Sequence, residues 1–311
     1  MEEKACLALC AKLFLNEGVK PLEAREWSAL SENLRGKGIS SSAILGWGLN
    51  DFINNLGADG QFAERLFKLC SRAGRVFGKC KEYERAGICA VTADDGEYPA
   101  KLKDILGATK PPVLFCAGDL SLLKGEFAGY VGSREAQTED ISFARFAVQK
   151  TVERGYGVVS GGARGVDTAC EEEALALGGA VAEFPSDAMM KKLKNQKISR
   201  AVNGGKMLLL SLAPPEAGFN LGVAMMRNRY IYVQSEGTVV IRSDYNKGGT
   251  WAGATDCLKH GWCKLMCRKR TGYAGNTALI ERGAIPIDFS FDGDISAIER
   301  TEPPEQLSLF K

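Results

Sequence analysis

Histidine is almost missing from this chain, with His260 the single example in 311 residues. No Ser-His-Asp set surrounds it, so hydrolysis of the serine-protease kind has no support in the sequence. No apolar run approaches the roughly 20 residues that cross a bilayer, and the first residues, MEEKACLALC, carry acids where an export signal carries bases. Charge of one sign is also missing: Lys and Arg number 40 against 38 Asp and Glu. A binder of nucleic acid with this balance has to gather its basic residues on one face. Ten cysteines are present but follow no framework spacing, in a chain too long to need stapling. The expectation is a soluble protein with reduced thiols, at home in the cytoplasm and without a membrane partner.

What remains is ordinary globular composition, 45% hydrophobic and 25% charged, at a length that suits one large domain and one smaller. Residues 1–86 alternate helical stretches with Gly, Asn and Ser breaks and show no convincing strand. Helices are expected over Glu2–Asn16, Pro21–Arg35, Ser41–Leu45, Asp51–Asn55 and Gln61–Glu84. Such a domain could touch nucleic-acid backbones through its turns, in the manner of a helix-hairpin-helix or SAM-like unit, or serve only as a structural or dimer-forming cap.

After Gly87 the pattern changes to short apolar runs separated by helical segments: Gly129–Ser133, Gly157–Ser160, Ala180–Phe184, Met207–Ser211, Thr238–Ile241 and Lys264–Cys267. Alternation of this kind predicts a parallel sheet covered on both faces. Over 138–154 the acids Glu139 and Asp140 open a helix, Ile141, Ala144, Val148 and Val152 form its apolar face, and Gly155 follows its end. The fold class is therefore α/β, a doubly wound Rossmann-like domain over 87–289, with ligands at the carboxyl ends of its strands. Residues 290–311 read as a flexible tail.

Four segments carry chemistry. Gly132-Ser133-Arg134 ends a strand and opens a helix, a junction where free amides, a hydroxyl and a guanidinium can hold a phosphate. Ser160-Gly161-Gly162-Ala163-Arg164-Gly165 repeats that logic with three glycines that let backbone amides converge. A dinucleotide fingerprint is a poorer reading there, because Ser160 occupies the place of its first glycine, although Glu183 stands about where a ribose-binding acid would. Arg227-Asn228-Arg229, beside Tyr230 and Tyr232, combines charge and aromatic rings as single strands favour. Gly248-Gly249-Thr250 opens a helix of small residues. Taken singly, each segment reads as readily as a plain turn or an ion-paired helix end. Cys257, His260, Cys263 and Cys267 raise a metal site, but one of the four lies on a helix and two on the following strand, awkward for one tetrahedral centre. Neither a metal nor a cofactor is expected.

In order, these segments resemble the motifs of the DprA/Smf family: GSR, VSGxARGxD, RNR, a glycine turn opening a helix, and GNxALIxxGA, here Gly275-Asn276-Thr277-Ala278-Leu279-Ile280 running to Gly283-Ala284. Tyr98-Pro99, Leu102, Pro111-Pro112, Leu114 and Gly118 are similar to the family's lead-in, and the likeness covers about residues 90–288. The resemblance implies a homodimer that binds single-stranded DNA, assists loading of a RecA-type recombinase in DNA uptake or recombination, and catalyses no reaction. It implies a groove formed by Arg134, Ser160, Gly161, Arg164, Arg227 and Arg229. This chain departs from the family pattern in four places. Glu171 stands in the position of a family histidine, Ser211-Leu212 replaces Ser-Glu, GGTWAGA replaces the SGSLITA-type turn, and no winged helix follows residue 288. A competing expectation is a nucleotide sensor, as in phage defence, or a phosphoribohydrolase-like enzyme on the same fold, but the PGGxGTxxE signature is missing.

The last residues, Gln306-Leu307-Ser308-Leu309-Phe310-Lys311, resemble the QLxLF peptide that docks on the DNA sliding clamp. Gln306 would bond at the pocket rim, and Leu307, Leu309 and Phe310 would fill apolar pockets.

Overall fold

The computed structural model describes residues 4–14 and 18–299. Its described residues fall into two compact units, one of those up to 117 together with 211–217, the other of 118–210 together with those from 218 onward.

The first unit holds helices α1 (Ala5–Cys10), α2 (Ala24–Gly36), α3 (Leu49–Leu56), α4 (Gly60–Ser71), α5 (Ala73–Arg85) and α6 (Ala100–Leu106), with strands β1 (Cys89–Thr92) and β2 (Val113–Ala117). The strands pair antiparallel, Cys89 opposite Cys116, and group with the helices although they lie beyond residue 86. Two helices expected from the sequence are shorter, and one side chain explains both. Arg72 interrupts 61–84 between α4 and α5. Its buried guanidinium donates to Ala8 O at 3.0 Å, Ala11 O at 2.8 Å and Leu13 O at 3.0 Å. Carbonyls at a helix end have no partner within the helix. Here an arginine supplies them, so α1 stops at Cys10 and Ala11 turns extended at φ −61°, ψ 126°.

The second unit carries the sheet. Its elements are β3 (Phe127–Val131), α7 (Thr138–Glu153), β4 (Gly157–Ser160), α8 (Val166–Ala176), β5 (Val181–Glu183), α9 (Met189–Lys192), α10 (Gln196–Asn203), β6 (Met207–Ser211), α11 (Leu221–Gln234), β7 (Gly237–Val240), α12 (Gly248–His260), β8 (Lys264–Arg268), α13 (Ala274–Glu281) and β9 (Ile285–Ile287). Within this unit the strand order is β6-β5-β4-β3-β7-β8-β9, with parallel pairings. Strands β3 to β7 are buried along their whole length, as a sheet covered on both faces requires.

The chain starts in the middle of this sheet. It winds outward from β3 through β4, β5 and β6, then returns to the other side of β3 with β7. The reversal between β3 and β7 is a topological switch point, where open α/β sheets offer a crevice beyond the strand ends. Helix α7 opens on a reciprocal cap between Gln137 and Asp140. Its buried residues are Asp140, Phe143, Ala144, Ala147, Val148 and Thr151, a face rotated from the expected one, and on it Thr151 Oγ1 lies 2.7 Å from the hydroxyl of Tyr130. Among the described residues no helix is long and apolar enough to cross a membrane.

Candidate nucleic-acid interface

The crevice at the switch point is a cavity of about 660 Å³. It is lined by Gly132, Ser133 and Arg134 after β3, Ala163 and Arg164 after β4, Arg227 and Asn228 of α11, and Gly248, Gly249 and Thr250 at the start of α12. All four segments singled out in the sequence therefore meet at one place. They are bonded to one another as well as adjacent. Thr250 Oγ1 donates to Gly132 O at 3.2 Å and Asn228 Nδ2 to Gly249 O at 3.2 Å. Gly165, at φ 85°, brings the second loop against the first: a Cβ there would lie 2.6 Å from Ser133 O.

The cavity suits an anion. Arg134, Arg164, Arg242 and Lys247 line it against Glu135, Asp167 and Asp244. Helices α8 and α12 both begin at its wall, and neither first turn receives a side-chain cap. The positive ends of the two helix dipoles therefore reinforce the cations, although in α8 Val166 N and Thr168 N already donate to Ser133 O and Ala163 O. Arg164 is open to solvent, with Glu135 at 3.7 Å, and Arg134 lies over the ring of Phe219 at 5.4 Å.

Not every expected residue reaches the cavity. Arg227 and Arg229 are two positions apart on a helix, about 200° of rotation, so one side of α11 cannot present both. Arg227 is part of the cavity wall but is buried, 3% exposed, donating to Gly161 O at 2.9 Å with Asp167 at 3.8 Å, whereas Arg229 does not reach the cavity. Arg229 lies over the ring of Tyr230 at 5.1 Å. Ser160, Gly161 and Gly162 lie behind the wall, where a second group of charges supports them.

That group includes Glu171, the residue in place of the family histidine. Its carboxyl meets the hydroxyl of Ser160 and accepts from Gly162 N at 3.1 Å. Glu183 pairs with Lys192 at 2.5 Å, and Lys192 donates to Gly162 O at 3.3 Å. Burial, reinforced by the neighbouring Glu183 charge, pushes the Glu171 carboxyl well above the usual carboxylate range. Asp167 is also raised by burial, against the opposing pull of Arg227. A Cβ would lie 1.5 Å from Arg227 Nη1 at 161 and 2.1 Å from Glu183 Oε1 at 162, where φ is also 63°, so a side chain at either position has to displace a buried charged group. Glu183 is thus a buried support of the loop, which removes the ribose-binding role considered for it.

Two contributors escaped the sequence reading. Arg242 directly follows the apolar run that forms β7, and that position at the carboxyl end of a switch-point strand is the signal that could have found it. Asn276 explains the GN motif: Oδ1 accepts from Ser243 N at 2.8 Å, and Nδ2 donates to Ile241 O at 3.1 Å and Arg268 O at 2.9 Å. It pins the end of β7 and so places Arg242. The four residues considered for a metal do not converge: Cys257 and Cys263 sulfurs lie 3.6 Å apart, Cys267 Sγ faces Asn276 O, and His260 stacks on Trp262. Among the described residues no group of three or more His, Cys, Asp or Glu is placed to hold a metal.

Comparison with known proteins accords with this geometry. DNA processing protein DprA of Bacillus subtilis (strain 168) is 29% identical over 181 residues, 58% of this chain and 60% of the relative. The Streptococcus pneumoniae (strain ATCC BAA-255 / R6) protein of the same name is 30% identical over 191 residues, 60% of this chain and 63% of the relative. The chain thus matches about three fifths of the length of these curated relatives. The X-ray structure of DNA processing protein A from Streptococcus pneumoniae superposes with a TM-score of 0.68 at 19% identity, covering 90% of this chain and 99% of that one. DNA processing protein A from Helicobacter pylori, whose structure was described for its single-stranded DNA binding mode, gives a TM-score of 0.53 at 20% identity over 65% of this chain and 92% of its own. At those identities the two structures speak for the fold alone. Residues 89–292 match the family described as DNA recombination-mediator protein A, more than half of the chain, and the chain belongs to that family.

Proposed function

We propose that this protein binds single-stranded DNA in the cavity between β3 and β7 and delivers it to a RecA-type recombinase. The observation that carries the reading is the convergence of Arg134, Arg164, Arg242 and Lys247 with two uncapped helix starts on one cavity of about 660 Å³. A phosphate backbone binds mainly through such charge, and an open crevice lets a strand pass through. In this reading the protein acts as a homodimer without a catalytic reaction, metal or cofactor, and serves DNA uptake or recombination.

The tail reading belongs to the same proposal. Gln306, Leu307, Leu309 and Phe310 lie outside the described residues. If they dock on the sliding clamp, the protein is held where single strands arise.

The test is fluorescence anisotropy with the full chain, comparing labelled oligo-dT with competing mononucleotides. Binding of oligo-dT that millimolar mononucleotide does not displace supports the reading. Saturable mononucleotide binding without oligo-dT binding replaces it with a nucleotide sensor.

A further inference from the structure

The loop between β7 and α12 has two sides. Arg242, Ser243, Asp244 and Lys247 line the phosphate cavity, while Tyr245 lines a neighbouring hollow of about 480 Å³ with Tyr273 and the small residues Gly272, Ala274 and Ala278. Asn246, between them, adopts φ 53°, a turn conformation that asparagine tolerates. The loop is fixed from behind. Ser243 N is bonded to Asn276, and Gly275 of α13 lies so close that a Cβ would come within 2.2 Å of Ser243 O.

Tyr245 is 55% exposed yet oriented. It meets Trp251 edge to face, with ring centroids 5.1 Å apart at 67°, and Trp251 is buried and covered by the Arg282 guanidinium at 4.8 Å. An aromatic ring held on a rigid support while most of it faces water has lost little by staying there and has much to gain from a planar partner. On the far side Tyr273 stands among the guanidiniums of Arg242, Arg270 and Arg268, at 5.2, 5.1 and 5.7 Å. The hollow therefore combines an open ring face with room made by glycine and alanine, and Thr277 and Glu281 complete its lining; the guanidiniums beside Tyr273 are paired with Asp140 and Glu139, and Arg242 also lines the adjacent cavity.

We propose that this hollow is a base-stacking subsite, in which Tyr245 receives one unstacked nucleobase of a strand whose phosphates cross the adjacent cavity. The inference rests on the proposed binding of single-stranded DNA and adds a subsite to it. Stacking on a tyrosine tolerates any base, because every base has a π-face. Tyr245 would therefore add affinity without sequence preference, and without touching a phosphate.

Those properties define the experiment. Full-length wild type and the variants Tyr245→Phe, Tyr245→Leu and Tyr245→Ala are titrated with oligo-dT and with an oligonucleotide of abasic sites. Their thermal unfolding is recorded alongside. Tyr245→Leu and Tyr245→Ala are expected to bind oligo-dT about tenfold more weakly, and Tyr245→Phe to match wild type. All four should bind the abasic strand equally and share one salt slope, since every phosphate keeps its cation. Equal binding of oligo-dT by wild type and Tyr245→Leu overturns the subsite and leaves the cavity standing, as does an equal loss on both strands. Failure of wild type to bind oligo-dT overturns both readings.

Discussion

Arg227 and Gly161 fit each other as rod and socket: the buried guanidinium donates to Gly161 O at 2.9 Å, and a single carbon added at Gly161 would lie 1.5 Å from Nη1. The glycine loop after β4 is thus shaped by a side chain of α11, 66 residues away in sequence.

Gly161→Ala is therefore expected to cost about 1–3 kcal/mol, the range for overpacking a filled interior, and to weaken DNA binding as the loop shifts. Gly36→Ala, at an exposed site with no atom within 4 Å and no left-handed backbone, should leave binding unchanged and serves as the control. Thermal unfolding and anisotropy read the two effects.

Arg227→Ala leaves Asp167 buried without its cation. Breaking a buried pair from one side costs about 3–5 kcal/mol, so this variant should show a lower unfolding midpoint in denaturant. Arg164→Ala, at an exposed guanidinium with one long ion pair, should unfold like wild type. Equal stability of all three proteins would contradict the assignment of Arg227 to the wall.

Glu171 gives the protein a pH dependence of definite sign. Its folded carboxyl is raised above the ordinary value of 4.5, so between that pH and the raised value the folded state keeps a proton that the unfolded chain has released. Stability from this group is full below about pH 4.5 and falls as pH rises through the window. Glu171→Gln removes the titration and keeps a polar partner for Ser160. The variant is expected to gain stability relative to wild type as pH rises above about 4.5, measured as unfolding midpoints over a series of pH values. A parallel pair of curves would contradict it.

A peptide of the last ten residues should bind purified sliding clamp, and the same peptide with alanine at Leu309 and Phe310 should not. Equal binding by both, or by neither, would remove clamp docking from the account.

How much of this could be read without coordinates depends on the range of each interaction. Strands β4 and β6 were legible to the residue, because their apolar runs are bounded by glycine or polar residues. The loops after β3 and β4 were legible because glycine and arginine at a strand-to-helix junction have few uses. Strand β9 was not, since Pro286 argues against a strand; it is tolerated here because β9 closes the strand order, with β8 as its paired neighbour. The end of α1 was hidden because Arg72, more than 60 residues away, supplies its carbonyls. The different fates of Arg227 and Arg229 follow from helical rotation and were within reach of the sequence. The burial of Arg227 against Gly161 was not, because it depends on α11 lying behind the loop after β4.

The central claim is that Arg134, Arg164 and Arg242 hold phosphates in the cavity between β3 and β7, and the salt dependence of binding tests it most directly. Oligo-dT affinity is measured over a range of salt for wild type and for alanine at each of the three positions. The account predicts that each variant lowers the slope of log K against log salt by about 0.7 for each phosphate left without its cation. Slopes indistinguishable from wild type in all three variants would contradict it.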